Sequence, residues 1–256
     1  MKKILTFDCY GTLLDPSPLY GLIGQIAKEQ GLSSEKAIHI FSSYEDRLMY
    51  GESFIKYDEL LLQALMYCDM EMNCDGFASQ YERVILVHKT FQPFPDVLAA
   101  LRVLKEMGYE LVLLSNTTHQ MMRWHVEALE HWFDDWLVAE DTKCYKPDLR
   151  FFQMAEQKFD LRTREHFHIA KGYWWDIVPA SKLGWRKIWV NRAHLKKGKG
   201  NGTTVLDGIE RIGSAADFGG EQDNSVKSKG LKIQEGFESP SFYIYFCISV
   251  YEIHIF

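Results

Sequence analysis

What this chain lacks closes off several classes of function. It has no long basic cluster apart from Lys196-Lys197-Gly198-Lys199 and a net charge of −6, so a solvated loop is expected there and nucleic acid is not an expected partner. The five cysteines, Cys9, Cys68, Cys74, Cys144 and Cys247, are odd in number and lack metal-ligand spacing, so reduced thiols are expected and zinc is not. Apolar runs are short. Only Ile4 to Phe7 precedes Asp8, too little for the hydrophobic part of a signal peptide, and Phe242 to Tyr251 is too short to cross a bilayer. A cytoplasmic protein with no membrane partner is the expectation. The rest is ordinary for a soluble globular chain: 46% hydrophobic and 25% charged over 256 residues, long enough for one well-buried domain and a smaller one.

What is present is organised around Phe7-Asp8-Cys9-Tyr10-Gly11-Thr12-Leu13-Leu14-Asp15. The β-forming run before Asp8 places that carboxylate at the C-terminal end of a strand, where open α/β sheets hold ligands. Gly11 permits a tight backbone path, and Thr12 offers a hydroxyl within reach of Asp8 or of a bound anion. An aspartate ending a strand in a common turn is the plain alternative for Asp8 alone.

The chain then turns helical. Ser17-Pro18 reads as an N-cap and first turn, with Leu19, Leu22, Ile23, Ile26 and Ala27 on one face as far as Gly31. Ser34 caps a segment reaching about Tyr50, Tyr57 to Cys68 reads as a third helix, and Phe77 to Phe91 as a fourth. These four helices, closed by Pro93-Phe94-Pro95, form a helical insertion over residues 16–92. Alternating elements resume with a helix from Asp96 to Met107, a buried parallel strand Glu110 to Leu114, and then Ser115-Asn116-Thr117-Thr118. A hydroxyl and a carboxamide where a helix begins suit an anion, although plain capping by Ser115 or Thr117 explains the same residues. Trp136 to Ala139 is a short strand, and Pro147 is placed at the first position of the next helix. The last core strand, His166 to Ala170, runs into Lys171-Gly172-Tyr173-Trp174-Trp175-Asp176, followed by a helix to Gly184 and a strand Lys187 to Val190. His166 and His168 alternate along their strand and read as packed or exposed side chains more readily than as ligands.

Taken together these loops resemble the four motifs of the haloacid dehalogenase (HAD) superfamily, over about residues 1–200. The resemblance implies a Rossmann-like α/β core with a parallel sheet, residues 1–15 and 93–218, and an inserted all-helical cap, residues 16–92. Residues 219–256 are left as a linker and an apolar tail of unassigned role. It also implies that Asp8 is a nucleophile and that Lys146, in Lys146-Pro147-Asp148, lies beside it and keeps it ionised. Tyr10 stands where HAD phosphatases carry a second Asp, their general acid. A tyrosine, with a pKa of about 10, protonates an alcohol leaving group poorly at neutral pH, whereas a halide leaves unprotonated.

That departure points to the 2-haloacid dehalogenase branch. There, Ser115 and Asn116 would hold substrate with Thr12, Asp176 would orient or deprotonate the hydrolytic water, and Trp175-Asp176 is the retained part of the fourth motif. Lys171 and Tyr173 replace the Ser and Asn of those enzymes and mark a divergent pocket, Phe152 stands where they tend to have Tyr, and Arg47 is the candidate cap arginine for the halide. HAD phosphatases carry an acid at the Lys171 position, so no cofactor is expected, with Mg²⁺ reserved for a phosphatase alternative. A non-catalytic interaction protein of the same fold is the second alternative. The expected partner is a small anionic substrate; the sequence leaves a homodimer open.

Overall fold

The computed structural model describes residues 3–192 and 253–255. The expectations for the Lys196–Lys199 loop, the core end near Phe218, the linker and the Phe242–Tyr251 tail lie outside the described residues. Five parallel strands form the sheet: β1 (Ile4–Phe7), β2 (Glu110–Ser115), β3 (Asp135–Val138), β4 (His166–Ala170) and β5 (Lys187–Val190). β6 (Ile253–Ile255) adds antiparallel to β5, and the order is β3-β2-β1-β4-β5-β6. Both faces of the sheet are covered, and β1 and β4 are buried along their whole length even where they carry Thr6, His166 and His168. From β1 the chain builds outward through β2 and β3, then crosses back to place β4 on the other side of β1. The carboxyl ends of β1 and β4 therefore flank a topological switch point, the crevice where such sheets bind ligands.

The helical insertion leaves after β1. It comprises α1 (Ser17–Glu29), α2 (Ser34–Leu48), α3 (Tyr57–Met72) and α4 (Tyr81–Val87), with 3₁₀ turns at Ala78–Gln80 and His88–Thr90. The expected fourth helix is thus a broken one, and α3 runs beyond Cys68 to stop at Asn73 in the left-handed conformation. The chain exits and returns through a narrow neck: Asp15 N–H donates to Gln92 C=O and Phe94 N–H to Leu13 C=O, both at 2.9 Å. Leu19, Ile23, Phe41, Leu60, Leu61, Leu65 and Phe77 are buried on the facing sides of these helices.

Around the sheet lie α5 (Val97–Glu106), α6 (His119–Ala128), the short α7 (Ala139–Thr142), α8 (Leu149–Phe159) and α9 (Val178–Lys182), the last preceded by a π turn over Tyr173–Ile177. Several caps shift by a residue or two from their sequence assignment, because neighbouring polar residues compete for the same N–H groups. Asp15, rather than Ser17, accepts at the start of α1, taking both Ser17 N–H and Ser17 Oγ–H. Ser33 caps α2, freeing the Ser34 hydroxyl to donate to Gly24 C=O. Thr118, not Ser115 or Thr117, caps α6. Asp148 caps α8, so Pro147 precedes that helix instead of opening it.

Among the described residues no helix is long and apolar enough to cross a membrane.

Candidate active site

The three loops at the switch point converge on one ammonium group. Lys146 Nζ donates to Asp8 Oδ1 at 2.9 Å, to Asp176 Oδ1 at 2.6 Å and to Leu114 C=O at 2.9 Å, which uses all three of its protons. The Lys146 side chain is 2% exposed and that of Asp176 1%, whereas Asp8 at 11% still reaches the crevice. Thr12 Oγ–H donates to Asp8 Oδ2 and accepts from Lys171 N–H, so both Asp8 oxygens have set directions. A carboxylate with two immobile donors is held in a single orientation.

One cation between two buried carboxylates splits their proton affinities. Burial works against charge on Asp176, yet Lys146 and then His168 hold it below the usual carboxylate range. Burial pushes Asp8 up, and Asp176 adds to that against the pull of Lys146 and Thr12. Lys146 is itself buried, but the two carboxylates keep its ammonium charged. Asp176 Oδ1 takes both Lys146 and His168, the latter at 3.2 Å, and Oδ2 remains turned toward Gly172. An added Cβ at Gly172 would stand 2.5 Å from that oxygen, so a larger residue there would displace the Asp176 carboxylate.

A cavity of about 310 Å³ opens over Asp8. Its floor is Asp8, Asn116, Lys146, Lys171 and Asp176, with Trp175 at the side, and the insertion supplies Leu19, Tyr20, Ser42, Glu45, Asp46, Met49 and Tyr57. Trp175 stacks on Tyr50, with ring centres 5.6 Å apart, and Trp174 Nε1–H donates to the Tyr50 hydroxyl. The Lys171–Asp176 loop thereby grips the residues just after α2.

The sequence-derived candidates divide. Asp8, Thr12, Lys146 and Asp176 form one hydrogen-bonded cluster, and Asn116, Lys171 and Trp175 stand beside it on the cavity wall. The Asn116 amide is committed to the backbone of Lys146, accepting from its N–H and donating to its C=O, so it holds the lysine loop in place. Ser115 lies off the cavity lining; it is fully buried, and its Oγ has no hydrogen-bond partner among the described residues. Tyr10 puts its ring on the wall while its hydroxyl lies 2.8 Å from both Thr117 Oγ1 and His125 Nε2. Burial raises its pKa further, so it is no proton donor to a leaving group. Tyr173 packs its edge on Trp189, away from the cavity lining. Arg47 is exposed with its guanidinium over Tyr44 and does not line the cavity: it lies on the outward face of α2, whose inward face presents Ser42, Glu45 and Asp46. Phe152 is a core side chain, set edge-on to His168.

Two residues went unassigned by sequence reasoning. His168 touches Asp176, and no strand periodicity separates it from a packed histidine. Arg192 donates twice to Thr12 C=O and pairs with Asp96, bracing the loop that carries Thr12.

The arrangement also bears on a divalent metal. The residues do not suit Mg²⁺, because Lys146 Nζ already bridges Asp8 and Asp176 and Lys171 stands where a further acid would be needed. Among the described residues no group of three or more His, Cys, Asp and Glu is placed to hold a metal ion.

A family model described as haloacid dehalogenase-like hydrolase matches residues 2–184. The chain is 28% identical over 204 residues to haloacetate dehalogenase H-2 of Moraxella sp. (strain B), covering 75% of this chain and 88% of that protein. It is also 28% identical over 198 residues to (S)-2-haloacid dehalogenase 4A of Burkholderia cepacia, covering 74% and 83%. A crystal structure of a dehalogenase with an intermediate complex superposes with a TM-score of 0.64 at 26% identity, covering 76% of this chain and 87% of that one.

Proposed function

The chain belongs to the haloacid dehalogenase-like hydrolase family, and from that premise we propose that it hydrolyses a small 2-haloalkanoate through an aspartyl ester. The observation that supports this most is the Asp8 carboxylate, set by Thr12 and Lys146 and open to the cavity, with a tyrosine whose hydroxyl is used elsewhere in place of the phosphatase acid. An Asp8 oxygen attacks C2 of the substrate and the C–X electron pair leaves with the halide. Water then adds to the Asp8 carbonyl carbon while Asp176 Oδ2 takes one of its protons. Collapse of that adduct expels the 2-hydroxy acid, which recovers the proton from Asp176. The remaining proton leaves the regenerated Asp8 carboxyl, so halide and one proton are released per turnover. Lys146 offsets the charge that develops at each step. Lys171, on the cavity lining, meets the substrate carboxylate. No cofactor takes part, and the enzyme works in the cytoplasm.

Purified protein offered both enantiomers of 2-chloropropionate is expected to release chloride, with EDTA and added Mg²⁺ without effect. In a single turnover in ¹⁸O water, label is expected in Asp8 before it reaches product. Phosphate release from an aryl phosphate that requires Mg²⁺, with no chloride release, would replace this reading by a phosphatase.

A further inference from the structure

A line of buried polar side chains runs through the sheet to the back of the site. His166 Nε2 lies 2.8 Å from Thr6 Oγ1, Thr6 Oγ1 lies 2.9 Å from His168 Nδ1, and His168 Nε2 lies 3.2 Å from Asp176 Oδ1. The parallel register explains the contact, since Thr6 sits opposite His168 and Ile4 opposite His166 across β1 and β4. Thr6, His168 and Asp176 are essentially inaccessible, and His166 lines a separate cavity of about 320 Å³ near Arg164 and Arg186 at the other end of the strand. A threonine between two histidines inside a sheet is costly unless every polar atom is used.

The single Thr6 hydroxyl proton sets the direction of the whole line. Thr6 can donate to one histidine only and must accept from the other. An ionised Asp176 requires a proton on His168 Nε2. If His168 is neutral its Nδ1 is bare, Thr6 donates to it, and His166 Nε2–H donates to Thr6. Every donor then points toward Asp176, and the dipoles reinforce one another in a dry interior. Burial, with Arg186 and Arg164 nearby, holds His166 well below the ordinary histidine range, so it enters the line uncharged.

We propose that His168 is a positioning residue, locked by Thr6 and His166 as the neutral Nε2–H tautomer, which keeps Asp176 ionised through Oδ1 and leaves Oδ2 aimed at the hydrolytic water. The role of Asp176 in this statement rests on the proposed function; the tautomer and its effect on Asp176 do not. The charged and titratable groups facing this pair are Lys146 and Asp8 on the cavity side and His166 behind; Lys187, opposite His168 on β5, and Arg164 and Arg186, beside His166, complete the set.

The test uses the full chain labelled with ¹⁵N-histidine and carboxyl-¹³C-aspartate, with signals assigned from His168→Gln and Asp176→Asn. Near neutral pH, His168 is expected to carry a proton on Nε2 alone. Thr6→Val, which keeps the shape and removes the hydroxyl, is expected to move part of the population to Nδ1–H and to raise the Asp176 titration by about one pH unit, equivalent to about tenfold in proton affinity. Thr6→Ser is expected to restore both. In turnover, Thr6→Val is expected to lower kcat about tenfold at unchanged KM and to shift the acid limb of its pH profile upward. A wild-type His168 protonated on Nδ1 or on both nitrogens overturns the proposal, as does an Asp176 titration that Thr6→Val leaves in place. A protein that releases no halide overturns the proposed function instead, while the ring tautomer and the carboxyl titration still decide the role of His168.

Discussion

At the scale of single residues, the site depends on Lys146 more than on any other side chain, because both buried carboxylates count on one ammonium. Lys146→Met is expected to cut kcat by about a hundredfold or more, the usual effect of losing one preorganised charge partner. It should also move the acid limb of kcat/KM upward: Asp8 must be ionised to attack, burial already raises it, and the variant removes the group that opposes this. A profile that stays in place would show that Lys146 does not govern the nucleophile. Gly172→Ala is a subtler test. The new methyl would press on Asp176 Oδ2, and a displacement of about 1 Å at a reacting group commonly costs about a hundredfold, so kcat should fall while the circular dichroism spectrum is kept. Asp8 and Thr12 were legible from their place just beyond the end of β1, and Lys146 and Asp176 through the resemblance of their loops to the third and fourth HAD motifs. Arg47 was not, since helix phase decides which face an arginine occupies and a slip of one residue turns it by about 100°. His168 was hidden for a different reason: its partner Thr6 is remote in sequence and meets it only through strand register.

At the scale of elements, the region where the insertion meets the core holds a buried aromatic cluster. Tyr10, Tyr57, His88, Phe91 and His125 pack ring against ring there, and His88 Nε2 and His125 Nδ1 have no hydrogen-bond partner among the described residues. Burial lowers His88 to about 4 and, joined by His88, lowers His125 to about 3. In the unfolded chain both titrate near 6.5. Below that pH the unfolded state therefore binds protons that the folded state refuses, and stability is lost at about 1.4 kcal/mol per pH unit for each histidine. The loss should begin near pH 6.5 and continue to about pH 4 for His88 and about pH 3 for His125, so the melting temperature should fall steeply across that window. His88→Leu should flatten the slope, and a flat wild-type curve would contradict the burial of these rings. The order of the longer helices and of the five parallel strands was readable from the sequence pattern, whereas the short α7, β6 and the break in the fourth helix were not. Nor were the helix caps, because adjacent polar residues such as Ser33 and Ser34 are equivalent until the backbone chooses between them.

At the scale of the whole molecule, Arg192 ties the end of β5 to the Asp8–Thr12 loop and to the start of α5. Its guanidinium donates to Thr12 C=O, pairs with Asp96 and lies 4.0 Å over the Phe94 ring, with side chains 9% and 3% exposed in the ion pair. Removing one partner of such a pair leaves a buried charge uncompensated, so Arg192→Leu is expected to cost about 3–5 kcal/mol, read as a lower denaturation midpoint. An unchanged midpoint would mean that solvent reaches Asp96.

The neck has a consequence of another kind. Since the helical insertion departs and re-enters through two adjacent backbone hydrogen bonds, it can be exchanged as a cassette with only two splice points, provided the replacement keeps the packing on Tyr10, Tyr145 and Trp174–Trp175. The core would keep its sheet, its Lys146 bridge and its reaction, while a transplanted cassette would bring a new ceiling for the cavity. Chimaeras joined at Asp15 and Gln92 would thus vary what the protein accepts without touching how it reacts.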